Sequence, residues 1–134
     1  LLSHKPLDIV IIMLGTNDLK VRFSPLAEDI AKGAQKLAIA ARDPLFGPGE
    51  TPPKVLLVCP PPLAESPNRN PIFGDSTAIS EKLAPLYRQY AEEADVAFLN
   101  AGEFIRTSSL DGIHLEPEEH RKLALAVAGA VEKI

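Results

Sequence analysis

The sequence predicts an α/β fold in which a parallel sheet carries helices on both faces. Two continuous apolar runs, Asp8 to Leu14 and Lys54 to Cys59, have the length and β-branched content of strands buried on both sides. Between and after them lie stretches of helical apolar spacing, joined by connections too long for hairpins. Strand, helix, strand, helix, strand, helix with such crossovers makes a parallel sheet.

The elements follow in order. Leu1 to Pro6 reads as the tail of a helix, with a proline just beyond its end. The first strand stops at Gly15. Ser24-Pro25 is expected to open a helix, serine as N-cap and proline in the first turn. Its apolar stripe is Leu26, Ile30, Ala34, Leu37, Ala38 and Ala41. Glycine and proline clusters mark Arg42 to Lys54 as a surface loop, and Pro60-Pro61-Pro62 ends the second strand. Residues 60–74 read as irregular. A helix is expected over Thr77 to Ala94 with Ile79, Leu83, Leu86, Tyr87 and Tyr90 inward, then a short strand, Val96 to Leu99. After a polar loop, a last helix starts at Pro117, its stripe Leu123, Val127, Ala130, Val131 and Ile134. Three strands are few for this class. They would leave one edge of the first strand unpaired, an aggregation hazard. A chain opening on a helix tail at Leu1 is therefore expected to have lost what preceded it.

Length and composition suit one domain over residues 1–134, without repeats; 46% of residues are hydrophobic and 24% charged. A net charge of −4 argues against nucleic acid as a partner, and no run is apolar and long enough to span a membrane. The single cysteine, Cys59, excludes an internal disulfide framework and suits a reducing compartment. With no secretory signal in view, a cytoplasmic location is the expectation. A homo-oligomer is compatible with the chain. The three histidines, His4, His114 and His120, show no metal-ligand spacing, so neither metal nor cofactor is expected.

Two clusters could carry chemistry, and both lie where open parallel sheets bind ligands, just beyond strands. Gly15-Thr16-Asn17-Asp18 follows the first strand. Glycine permits a sharp turn, and the asparagine amide supplies uncharged N–H donors of the kind an oxyanion hole uses. An ordinary turn explains the same residues. Asp111-Gly112-Ile113-His114 precedes the last helix. A general base needs a histidine, and a carboxylate three residues earlier can reach Nδ1 to hold its tautomer. An Asx turn beside an unremarkable histidine is the alternative.

Taken together, Gly-x-Asn-Asp after a strand and Asp-x-x-His before the final helix resemble blocks III and V of the SGNH (GDSL-type) serine hydrolases. Leu14-Gly-Thr-Asn-Asp-Leu-Lys20, the proline run after the second strand and Asp111-Gly-Ile-His-Leu115 extend the likeness over nearly the whole chain. It is most like the bacterial arylesterase branch, which includes acyltransferases. The resemblance implies a flavodoxin-like three-layer sandwich with five parallel strands. It also implies a small ester as substrate, Asn17 in the oxyanion hole with Gly15 and Thr16 beside it, His114 as general base and Asp111 as its orienting carboxylate.

Block I, which carries the nucleophilic serine in Gly-Asp-Ser-Leu, and block II are absent ahead of Gly15. Two further βα units of roughly 30 residues each would supply them. An N-terminal segment of the same protein is thus an expected partner, and a truncated, non-catalytic SGNH domain serving binding or assembly is the alternative. Gly74-Asp75-Ser76 is no substitute: no buried strand precedes it, and Asp75 or Ser76 reads as a helix N-cap. Cys59 reads as packing. Phe23, Pro61, Leu63 and Phe73 could line an acyl or alcohol pocket, or equally pack their loops.

Overall fold

The computed structural model describes residues 1–134. It contains β1 (Ile9–Ile12), α1 (Ala27–Ala41), β2 (Lys54–Cys59), α2 (Thr77–Ser80), α3 (Leu83–Glu93), β3 (Ala97–Asn100) and α4 (Pro117–Val131), with short 3-10 turns between them. The strands form one parallel sheet in the order β1-β2-β3. Ile9 pairs with Lys54 and Ile12 with Leu57; on the other side Leu56 pairs with Ala97 and Cys59 with Asn100.

Strand β2 is central, and alternation along it builds both halves of the core. Leu57 and Cys59 face α1 and α3, meeting Ile30, Ala34, Leu83 and Tyr87. Leu56 and Val58 face the other way, toward Leu123, Val127 and Val131 of α4. Leu56 and Leu57 are wholly buried, each contributing roughly 1.5–3 kcal/mol by leaving water. Small residues let α1 lie close: Ala38 and Ala41 pack directly on Val55. Arg42 then ties the end of α1 to the end of α3, donating to the Ala94 carbonyl at 2.6 Å. No helix is long and apolar enough to cross a membrane.

Four sequence expectations change. Strand β1 is not buried on both faces: it pairs with β2 alone, and Ile11, Met13 and Leu14 are exposed. Ser24 does not cap a helix. The chain first makes 3-10 turns at Thr16–Leu19 and Val21–Phe23, and Ser24 closes the second in a left-handed conformation (φ 45°). Helix α1 starts later, after Leu26, which is itself exposed, as is Leu37. The helix expected over residues 77–94 is two. Pro85 has no N–H to give the Glu81 carbonyl, so the ladder breaks between Ser80 and Leu83.

Candidate active site

The Asp111–His114 turn is built by one carboxylate. Asp111 Oδ1 accepts the backbone N–H groups of Ile113 at 2.8 Å and His114 at 3.0 Å, which folds the four residues back on themselves. Its other oxygen, Oδ2, is bonded to His114 Nδ1. The bonded N–H groups, that of the imidazole foremost, hold the Asp111 carboxyl down at about 2. An ionised carboxylate only accepts, so in the neutral ring the proton belongs on Nδ1 and Nε2 keeps its lone pair. The His114 side chain is 81% exposed, and nothing else in the chain bonds its ring.

Gly112 makes the turn possible. Its φ is +74°, and a Cβ there would fall 2.1 Å from the Ala64 carbonyl oxygen. The Ala64 N–H, in turn, donates to the Gly112 carbonyl at 3.0 Å and to Thr107 Oγ1 at 2.9 Å. The loop is also closed by Ser108, whose N–H donates to the His114 carbonyl at 2.6 Å and whose hydroxyl bonds Glu116. Glu119 accepts the Arg106 N–H at 2.7 Å. The acidic start of α4 thus fastens the loop, besides lying where the helix dipole favours it.

At the end of β1, Gly15 has φ +127° and leads into the 3-10 turn that contains Thr16, Asn17 and Asp18. The turn is closed by the Asp18 N–H donating to the Gly15 carbonyl at 3.0 Å. Asn17 is exposed and its amide makes no bond within the chain. Below, Tyr87 donates to the Leu14 carbonyl at 2.7 Å, and Leu19 is buried in the core.

No direct hydrogen bond joins the Asn17 turn to the Asp111–His114 loop. The segment after β2 joins them instead. Ser76 donates to the Leu19 carbonyl at 2.6 Å, Ser80 accepts the Leu63 N–H at 3.0 Å, and the adjacent Ala64 holds Gly112. Sequence reasoning missed Arg69, Ser80 and Thr107 as organisers of the site and read Tyr87 as packing alone. Ser80 and Thr107 bond distant residues, and Arg69, although bonded to Ala64 and Thr77 nearby in the chain, meets Gly112 only through the fold, so no local pattern announces their role.

The remaining candidates resolve individually. Ser76 stands at the N-cap position of α2 but does not cap it: its hydroxyl is spent on Leu19, and it is 2% exposed, closed to any substrate. Cys59 is buried, its thiol pushed up to about 12 by desolvation, which makes it inert. Leu63 and Phe73 belong to the core, Pro61 is buried, and only Phe23 remains exposed. Phe23 borders a cavity of about 670 Å³ with Leu14, Gly15, Ile30, Leu37 and Tyr87. The cavity lies against the Gly15 turn and includes none of residues 111–114. No group of three or more His, Cys, Asp or Glu side chains gathers as a metal site would require.

Comparison with known proteins agrees with this architecture. Residues 1–122 match the model of the GDSL-like lipase/acylhydrolase family. A carbohydrate acetylesterase from Sinorhizobium meliloti superposes with a TM-score of 0.90 at 41% identity, over 98% of this chain and 63% of its own. An aryl esterase from M. smegmatis gives 0.90 at 40% identity, over 99% and 64%. A GDSL-like lipase from Bacteroides thetaiotaomicron, 22% identical over 94% of this chain and 62% of its own, shares the fold at 0.71. The chain thus spans somewhat under two thirds of these relatives. No curated protein gives a significant match. By sequence and by fold, the chain belongs to the GDSL-like lipase/acylhydrolase family.

Proposed function

We propose that this chain supplies the base and oxyanion-binding parts of an esterase for small carboxylic esters, working through an acyl-serine intermediate. The observation that carries the reading is the Asp111–His114 pair: a carboxylate on Nδ1, a free Nε2 and an exposed ring. His114 Nε2 takes the proton of a serine hydroxyl as the serine oxygen attacks the ester carbonyl. Charge then builds on the carbonyl oxygen, where the Asn17 amide donates to it. His114 returns the proton to the departing alcohol, and water repeats the sequence on the acyl-serine. Asp111 steadies the imidazolium throughout. Acyl transfer to an alcohol follows where a pocket excludes water.

The serine itself stands on an N-terminal βα segment. Two features support a seat for it: the unpaired edge of β1, and the exposed Ile11, Met13 and Leu14 beside that edge. An added parallel strand would satisfy the edge and cover these side chains. The name of one similar structure, a carbohydrate acetylesterase, favours acetyl as the acyl group, and that of another, an aryl esterase, favours an aryl ester.

The test is intact mass under denaturing conditions, before and after exposure to a fluorophosphonate probe. A companion segment that takes up the label, while this chain does not, is the expected result. If label enters neither, or enters this chain, the serine is not supplied as proposed. In the first case the chain is then a non-catalytic module of the family.

A further inference from the structure

We propose that Arg69 is a positioning residue for the Asp111–His114 pair, acting through Ala64 and Gly112. The inference rests on reading that pair as the catalytic base.

The Arg69 side chain is only 8% exposed, although its nearest carboxylate, Glu65 at 3.5 Å, is 83% exposed and weakly matched to it. Burying a guanidinium is costly unless its donors are used. Here Nη1 donates to Thr77 Oγ1 at 2.8 Å and reaches the Gly74 carbonyl at 3.4 Å, while Nη2 donates to the Ala64 carbonyl. Nε is buried without a partner. It lies 3.3 Å from the point where a Cβ on Gly112 would begin. The Nε side of the guanidinium therefore lies close to Gly112.

Ala64 is the coupling element. Its carbonyl is held by Arg69 and its N–H holds the Gly112 carbonyl. Gly112 is the residue over which the Asp111 carboxylate folds back to the His114 ring. A displacement of Ala64 moves Gly112, and with it the angle at which Oδ2 meets Nδ1. Thr77, itself bonded to both Arg69 and Glu65, fixes the far side of the guanidinium. Arg69 thus connects the start of α2 to the histidine loop without touching either reacting atom.

The readout is the His114 tautomer, taken from its ring nitrogen shifts correlated with the carbon-bound ring protons, at a pH where the ring is neutral. The unmodified chain is expected to hold the proton mainly on Nδ1. Arg69→Met is expected to shift the population toward Nε2–H, as in an unconstrained histidine side chain. Arg69→Lys, which keeps one donor for the Ala64 carbonyl, retains most of the Nδ1–H form. If Arg69→Met leaves the tautomer unchanged, Arg69 serves only the fold and the proposal fails, whatever happens to the melting temperature. Should that variant not fold, Thr77→Val decides: a smaller shift in the same direction supports the proposal, and none overturns it. An Nε2–H tautomer in the unmodified chain would instead remove the base reading itself, and is distinguished by being seen before any substitution.

Discussion

The hydroxyl of Tyr87 occupies the space where a side chain on residue 15 would begin: a Cβ on Gly15 would lie 2.4 Å from Tyr87 Oη. The same hydroxyl donates to the Leu14 carbonyl, so one phenol supports the turn that presents Asn17. Gly15→Ala meets both this contact and a φ of +127°, and is expected to lose about 2 kcal/mol in urea unfolding. Tyr87→Phe alone loses about 1 kcal/mol by leaving the Leu14 carbonyl unbonded. In the double variant the steric part disappears while the backbone strain stays, so its loss falls short of the sum of the two. Full additivity in the cycle would show that Oη does not press on residue 15.

Gly112→Ala is expected to be at least as damaging, by about 2–3 kcal/mol, because φ +74° is strained for alanine and the Ala64 oxygen is backbone. Unlike Gly15→Ala, it is also expected to disturb the His114 tautomer. Denaturant melts and the ring nitrogen shifts together separate the two glycines.

The depressed Asp111 carboxyl sets an acid limit. Because its folded value lies below the ordinary 3.8, ionisation stabilises the fold. That contribution is complete above about pH 4 and is lost as pH falls toward 2. Asp111→Asn removes it, so the gap in melting temperature between the unmodified chain and the variant should narrow over this window. A carboxyl-carbon titration of Asp111 gives the midpoint directly, and a midpoint near 3.8 contradicts the bonding described. In the serine-bearing protein the same substitution is expected to lower kcat by roughly 10⁴-fold, through loss of the tautomer.

Asn17 is exposed and unbonded, so Asn17→Ala should change stability by less than about 0.5 kcal/mol. In the serine-bearing protein kcat should fall by roughly 10²–10³-fold with KM little altered, because the donor acts on charge that exists only in the transition state. A change confined to KM would make Asn17 a substrate contact instead.

Ser76→Ala should leave fluorophosphonate labelling untouched and cost about 1 kcal/mol of stability, the bond to Leu19 being its work. Loss of labelling would restore Gly74-Asp75-Ser76 as a nucleophile motif.

Much of this was legible in the residues. Strand β2 runs over Lys54–Cys59 as its apolar run indicates, and α4 begins at Pro117 with its stripe packed on Leu56 and Val58. The break before Leu83 was legible too, in Pro85, but the apolar spacing continues through it and conceals it. Asp-Gly-x-His supplies the acceptor and the glycine of its own turn, since a short side chain before a glycine can reach the N–H groups two and three residues on.

Sequence by itself therefore determined the parallel α/β class, the extent of strand β2 and the start and inward stripe of the last helix. All of these depend on neighbours a few residues apart, whose periodicity and turn chemistry are written locally. Only the tertiary structure decided that Ile11, Met13 and Leu14 stay exposed, that Ser76 is sealed against Leu19, and that Tyr87 meets Leu14 while Arg69 and Gly112 meet at Ala64. Bonds of this kind span 43 residues from Ala64 to Thr107 and 73 from Leu14 to Tyr87. A side chain's own surroundings in sequence say whether it turns inward, but not which distant carbonyl it will meet there.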